Sequence, residues 1–177
     1  MLESQEKLII SEANWDDYAA IVDVLKAVDA EFVPRLTEGE NLRVKVTRIL
    51  NDRRRDWVKA VINNRVVGVV AVIYNYRRPR LGLIETLAVL PPYRCQGIGK
   101  RLVQFAMAKL FRCGMDSALI TTWETNDTAT RMYEELGFHR IIRKKIDGAY
   151  FKLFFLFNYE APERPPTAFS RLRNYLR

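Results

Sequence analysis

The chain has 177 residues, of which 49% are hydrophobic and 28% are charged, a length and composition typical of one domain with a real core. Strand-sized apolar runs, acidic residues at the N-terminus and only two cysteines exclude a membrane-spanning protein, a secreted disulfide-rich domain and a zinc finger, and predict a cytoplasmic location. The formal net charge of +8 leaves open a nucleic acid, an acidic peptide or only the phosphates of a cofactor as partner.

The first half of the chain alternates strands and helices. A short strand at residues 8–10 precedes a helix that Asn14 caps. Helical spacing of apolar residues marks two helices, with stripes at Ile21, Val24, Leu25 and Val28 and at Leu42, Val46, Ile49 and Leu50. Residues 57–62 and 65–74 form a hairpin through Asn63 and Asn64, because asparagine tolerates the positive φ of a tight turn. The nearly continuous apolar run of the second strand predicts a central position in a sheet.

The second half of the chain begins with a predicted strand at residues 83–89. This strand ends before Pro91 and Pro92, because proline cannot donate a hydrogen bond to a ladder. A helix follows with Gly114 as its stop, then a strand at Ser117–Trp123 and a helix that begins near Asn126. Two strands, His139–Ile146 and Ala149–Phe157, meet at the turn Asp147-Gly148. The order of elements predicts a mixed α/β (α+β) fold.

The segment between the strand at 83–89 and the following helix has the features of a phosphate cradle. It reads Arg94-Cys95-Gln96-Gly97-Ile98-Gly99-Lys100. Two glycines let successive N–H groups point into one concavity, and the positive end of the helix faces the same place. The segment lacks the Lys-Ser/Thr pair of a P-loop and the third glycine of a Rossmann fingerprint.

The Arg-x-x-Gly-x-Gly pattern that remains resembles the coenzyme A loop of the GNAT superfamily of N-acetyltransferases. Leu87-Ala88-Val89 precedes it, and a second segment opens with Asn126 and closes in Tyr133-Glu134-Glu135-Leu136-Gly137-Phe138, as in that family. The resemblance covers roughly residues 8–157. It implies a single domain at 1–158, with a central seven-stranded, mixed and mostly antiparallel sheet, helices on both faces and a V-shaped splay at the cofactor site.

The same resemblance implies acetyl-CoA as co-substrate, without a metal. The strand backbone would contact the pantetheine and the acetyl carbonyl, the loop would hold the pyrophosphate, and Asn126 would contact the cofactor. Tyr133 would also contact the cofactor and would protonate the leaving thiolate; the alternative is a core aromatic residue. The implied cofactor-binding residues are Leu87, Ala88, Val89, Arg94, Cys95, Gln96, Gly97, Ile98, Gly99, Lys100, Asn126 and Tyr133.

Glu85 is the first candidate for the general base. It is the only acid within residues 83–89, and strand alternation predicts it on the face of Leu87 and Val89. A poorly hydrated carboxylate on an apolar strand suits a proton acceptor. Pairing with an arginine such as Arg80, or simple exposure, is the alternative. Glu124 is a second candidate, and His139 is interpreted as an ordinary strand residue.

The acceptor is a primary amine by resemblance. Residues 31–40 contain three acids, and one acid lies at Asp147-Gly148; this number is interpreted as disfavouring polyamines and favouring a protein, peptide or RNA-linked amine. The alternatives are acetylation of aminoacyl-tRNA and a non-catalytic coenzyme A-binding module that engages an acidic or nucleic-acid partner. Residues 159–177 are predicted to be a proline-rich linker and a basic arm, which leaves open a cover over the acceptor site, a homodimer or an acidic partner. Nucleic acid is not favoured, because charge runs are usually solvated.

Overall fold

The computed structural model describes residues 7–32, 34–146 and 149–157. Its strands are β1 (Ile9–Glu12), β2 (Arg55–Ile62), β3 (Arg65–Ile73), β4 (Leu81–Val89), β5 (Ser117–Trp123), β6 (His139–Ile146) and β7 (Ala149–Phe157). Its helices are α1 (Tyr18–Val28), α2 (Leu36–Gly39), α3 (Leu42–Asn51), α4 (Ile98–Arg112) and α5 (Asp127–Glu135). Short 3-10 turns occupy Trp15–Asp17, Asp29–Glu31 and Pro91–Tyr93.

The seven strands form one sheet in the order β1-β2-β3-β4-β5-β7-β6. Neighbouring strands are antiparallel, with one exception, the parallel pair of β4 and β5. The prediction of a mixed, mostly antiparallel seven-stranded sheet is therefore confirmed. The predicted turn Asp147-Gly148 and the predicted linker and arm at 159–177 lie outside the described residues.

Helices cover both faces of this sheet, as predicted. On one face, Leu102 and Val103 of α4 are fully buried in a core cluster with Val58, Ile84 and Phe154. On the other face, a second cluster contains Leu25 of α1, Val46 of α3 and the sheet residues Trp57, Val69 and Ala88. Because β3 is covered on both sides, its side chains from Val67 to Ile73 are buried, which explains its continuous apolar sequence.

The local signals at the ends of the elements act as the sequence predicts. Asn14 and Asp17 form a reciprocal capping box, in which the Asn14 side chain accepts from Asp16 and the Asp17 side chain accepts from the Asn14 N–H. Asn63 and Asn64 have φ of 48° and 60° and form the turn between β2 and β3. No helix in the described ranges is both long enough and apolar enough to cross a bilayer.

Candidate active site

The candidate active site begins where β4 and β5 separate. Their ladder runs from the pair Leu81 and Ser117 to the pair Ile84 and Ile120. Beyond that pair β4 continues to Val89 and β5 to Trp123, each still paired with its outer neighbour. The facing edges of the two strands therefore diverge, and the predicted V-shaped splay is confirmed. Backbone N–H and C=O groups on these edges are available to a ligand that lies along the strand.

A bulge in β4 lies at the start of this opening. Val69 of β3 pairs with Ala88, whereas Ala71 pairs with Glu85, so two β4 residues, Thr86 and Leu87, oppose one residue of β3. Thr86 has φ of 53°, a conformation in which a β-branched residue is strained. The bulge bends the strand close to where β4 and β5 separate and places its strain at the start of the opening.

The bulge also changes which side chains share a face. Glu85 lies opposite Ala71, a member of the core cluster under α1 and α3. Leu87 and Val89 pack instead against the cluster under α4. The placement of Glu85 on the face of Leu87 and Val89 was therefore wrong, because strand alternation does not continue through a bulge.

The loop after β4 bends through two residues with positive φ. Cys95 has φ of 59° and Gly97 has φ of 77°, and α4 begins immediately afterwards at Ile98. Gly97 has no side chain to cap the helix, and within the described ranges no side chain caps the first N–H groups of α4. Those donors and the positive end of the helix dipole form a place for an anion.

Gly99 is not required by the packing of the protein itself. A Cβ on this residue would lie 3.8 Å from the Met132 sulfur and 3.9 Å from a Val89 methyl carbon, both ordinary van der Waals distances. Glycine in a helix costs about 1 kcal/mol relative to alanine. Gly99 therefore lowers the stability of the helix, and contacts within the protein do not explain it. Its presence indicates that a ligand approaches this backbone closely.

The Arg94 side chain turns away from the loop and toward the strand. Its Nε donates to the Val89 carbonyl over 2.9 Å, and its Nη2 lies 2.8 Å from a Glu31 carboxylate oxygen. Arg94 therefore joins the end of β4 to the 3-10 turn after α1.

The remaining loop side chains have partners inside the protein or face solvent. Gln96 donates to the Pro92 carbonyl over 3.3 Å, and Lys100 Nζ lies 2.9 Å from a Glu135 oxygen. Cys95 is an exposed free thiol. Main-chain groups of the loop, more than its side chains, are thus positioned to meet a phosphate.

Tyr133 lies over the apex of the V. Its ring packs edge-on against Phe154 with 5.5 Å between centroids, and Phe154 pairs with Ile120, the last β5 residue that pairs with β4. The side chain is 4% exposed, and burial raises the pKa of its phenol. Its hydroxyl makes no hydrogen bond to any residue that the structure describes, and the roles predicted for Tyr133 stay predictions.

Asn126 is the N-cap of α5 and lies three residues after the end of β5. Its side-chain oxygen accepts the Ala129 N–H over 3.0 Å, as in an N-cap. This bond accounts for the residue type without a ligand. The amide nitrogen of Asn126 remains a donor for a cofactor, so the predicted second role stays a prediction.

The candidate bases are all partly exposed and paired. Glu85 is 26% exposed and its Oε1 lies 3.5 Å from Arg55, not from Arg80, which pairs with Asp116. Glu124 forms two bonds to Arg143, of 2.6 and 2.7 Å.

His139 is exposed at the start of β6. In the described ranges no cluster of histidine, cysteine, aspartate or glutamate is arranged to hold a metal ion.

Sequence reasoning missed a link across the opening, which consists of two contacts. Glu31 binds Arg94 on the β4 side, and the next residue, Phe32, packs edge-on against Trp123 at the end of β5 with 6.0 Å between ring centroids. These two adjacent residues thus connect the two arms of the V. No periodicity or motif marks them, because they lie in an irregular segment between helices.

Comparison with known proteins identifies this architecture. The model of the acetyltransferase (GNAT) family matches residues 18–138. N-alpha-acetyltransferase 30 of Saccharomyces cerevisiae is 38% identical over 76 residues, 42% of this chain and 43% of the yeast protein. An uncharacterized N-acetyltransferase of Chlorobaculum tepidum is 30% identical over 116 residues, 63% of this chain and 73% of that protein. The chain thus spans less than half the length of the yeast relative.

A solved structure agrees with the sequence comparison. A chain of the NatC complex bound to Gag peptide and CoA superposes with a TM-score of 0.70 and 26% identity, covering 86% of this chain and 99% of that chain. The residues matched by the family model include the divergent strands, the glycine-bent loop and Tyr133. The chain belongs to the GNAT family of acetyltransferases.

Proposed function

We propose that this acetyltransferase moves an acetyl group from acetyl-CoA directly to the amino group of a protein or peptide, the α-amino group of an N-terminus being favoured. The observation that carries the proposal is the edge of β4 beyond Ile84, which pairs with no strand in the described part of the chain and lies beside the glycine-bent loop and Tyr133. Similarity to proteins named N-alpha-acetyltransferase 30 and to a NatC chain bound to a peptide and CoA supports an N-terminal acceptor. The likeness covers a minority of the yeast relative, so the acceptor belongs to the proposal.

The residues of the V fit acetyl-CoA. The N–H groups at the start of α4 would hold the pyrophosphate, and Gly99 leaves the space that a Cβ would fill. The backbone of residues 87–89 on the divergent edge of β4 would pair with the amides of the pantetheine arm, as an added strand does. When bound, acetyl-CoA supplies an acyl group activated as a thioester.

Tyr133 is assigned as the proton donor to the departing sulfur. Burial raises the pKa of its phenol, so the hydroxyl keeps its proton at the pH where amines react. The hydroxyl makes no hydrogen bond to a described residue, so no such bond has to break before it donates its proton. It is therefore free to donate as negative charge develops.

An acceptor panel tests the proposal. The release of coenzyme A is followed with a peptide that has a free N-terminus, with the same peptide blocked at its N-terminus but containing lysine, with small amines and with aminoacyl-tRNA. We expect release above background only with free N-termini. Release with the blocked peptide alone would move the proposal to lysine side chains, and release with aminoacyl-tRNA alone would overturn the protein acceptor.

We propose Glu85, the residue after the last β4 residue that pairs with β5, as the general base, and this assignment predicts a large loss of rate on removing its carboxylate. We expect Glu85→Gln to lower kcat/KM about 100-fold, since positioned bases contribute roughly 10²–10⁴ in rate. The measurement is initial rate against acceptor concentration with a saturating acetyl donor.

Asp52→Asn is the matched control for Glu85→Gln. It removes one negative charge from the same cluster, because Arg55 contacts both Asp52 and Glu85. If both variants lose the same modest activity and stability, Glu85 holds Arg55 in place and is not the base.

A further inference from the structure

We propose that the end of the sheet opposite the acetyl-transfer site is a docking surface for the phosphate backbone of a nucleic acid. We call this surface the basic end and define it by Arg53, Arg54, Arg77 and Arg112. β4 enters the sheet at Leu81 beside it and leaves at Val89 beside the glycine-bent loop. Nine residues of strand separate the two places by about 25 Å, so a partner on the basic end leaves the V open.

Three turns meet at the basic end and are bonded to one another. The turn before β2 joins the end of β3, because the Tyr74 N–H donates to the Arg54 carbonyl over 2.7 Å. The turn between β3 and β4 joins the one after α4, because Asp116 N–H donates to the Arg80 carbonyl over 2.9 Å. Asn75 N–H also contacts the Met115 sulfur over 3.4 Å. These bonds bring arginines from three distant stretches of sequence onto one surface.

Asp116, the buried acid of this end, is already bonded to groups other than the four arginines that define the basic end. Buried Asp116 contacts Arg80 over 3.3 Å and accepts from Ser117, which in turn accepts from Arg78 over 2.9 Å. This network fixes the turn between β3 and β4. It leaves no carboxylate of Asp116 for the arginines that define the basic end.

The four outward arginines keep most of their charge exposed. In the part of the chain that the structure describes, Arg53, Arg77 and Arg112 form no ion pair with a carboxylate. Arg54 lies 3.6 Å from Asp52 but is 72% exposed, so that pair is strongly screened. The surface therefore attracts anions and has donors ready to bond them.

The form of these cations favours phosphate groups. All four are arginines, whose planar forks bind phosphate oxygens in pairs. Two lie over aromatic rings: Arg77 is 5.2 Å from the centre of the Tyr76 ring and Arg112 is 6.0 Å from the centre of the Phe105 ring. A ring beneath a guanidinium orients the fork.

The backbone of the same turn is held in a costly conformation. Asn75, Arg77 and Arg80 all have positive φ, of 52°, 58° and 63°. Such conformations are unfavourable for residues other than glycine, and they cluster at functional sites. Two of the three residues are arginines. The turn therefore has long cationic side chains at positions where glycine would adopt the positive φ with less strain.

A binding experiment with the full chain tests the proposal. Fluorescence anisotropy measures its binding to a fluorescein-labelled single-stranded RNA of about 12 nucleotides. Between about 50 and 200 mM salt, log K should fall linearly with log salt, with a slope of roughly −0.7 for each phosphate contact. The double variant Arg77→Ala/Arg112→Ala should bind at least tenfold more weakly and lose about 1.4 from the slope. The double variant Lys26→Ala/Arg65→Ala, exposed residues away from this end, removes the same charge and should change little.

Three outcomes would overturn the proposal: no effect of the first double variant, an equal effect of both double variants, or tighter binding of a polyglutamate peptide than of RNA. The last would assign the surface to an acidic protein. Acetyl transfer to a short peptide should be the same in both double variants and the wild type. A failure of RNA binding therefore leaves the proposed enzymatic function untouched, and a failure of acetyl transfer leaves this proposal untouched.

Discussion

Replacement of Tyr133 by phenylalanine will lower kcat about 100-fold and leave the Kd for coenzyme A unchanged, since a positioned proton donor contributes roughly 10²–10⁴ in rate. The substitution removes one oxygen and keeps the ring that packs against Phe138 and Phe154. Because the hydroxyl makes no hydrogen bond to a described residue, its loss should leave the thermal midpoint unchanged. Steady-state kinetics, calorimetric titration with coenzyme A and thermal unfolding measure the three quantities.

The pH dependence adds a second test of Tyr133. Burial raises the pKa of its phenol above the usual value of about 10, so the neutral acid persists in alkaline solution. The rate of the wild-type enzyme should therefore show no loss from tyrosine ionisation below about pH 10. Tyr18→Phe is the matched control, because Tyr18 lies in α1, outside the V. Equal activity of Tyr133→Phe and wild type would remove this residue from the mechanism.

Gly99→Ala will separate stability from cofactor binding. An alanine Cβ meets only ordinary contacts at 3.8 and 3.9 Å and gains up to about 1 kcal/mol of helix propensity, so the thermal midpoint should stay equal or rise. The same methyl group stands where the pyrophosphate is proposed to approach the backbone, so the Kd for coenzyme A should rise at least tenfold. Denaturant unfolding and calorimetric titration measure the two effects.

Gln104→Ala on the exposed face of α4 is the control for Gly99→Ala. It changes helix propensity on the same helix, two turns from the loop, and should leave the Kd for coenzyme A unchanged. Unaltered coenzyme A binding by Gly99→Ala would show that the phosphate does not approach this backbone. A matching loss of stability and binding would mean instead that Gly99 is needed for the fold of the loop.

Most of the fold and the outline of the site followed from local patterns. The apolar stripe Ile21, Val24, Leu25 and Val28 is buried as predicted, and the asparagines at 63 and 64 form the predicted hairpin turn. The glycine-bent loop before α4 was also recognised, because positive φ and close backbone approach restrict the residue type at single positions. Strand starts were less accurate: β2 and β4 each begin two residues before the predicted bounds, because charged and glycine residues at a strand end mask its start.

Tertiary structure decided which functional groups meet. The sequence determined the elements, the loop and the helix that carries Tyr133, since helix stripes, turn residues and glycine positions depend on neighbours a few residues away. The bulge at Thr86, which moves Glu85 to the other face, depends on the register between β3 and β4. The contacts of Glu31 and Phe32 with Arg94 and Trp123 join residues about 60 to 90 positions apart. Such contacts come from the packing of whole elements, which no local pattern records, and they connect the two arms of the V at the proposed site of acetyl transfer.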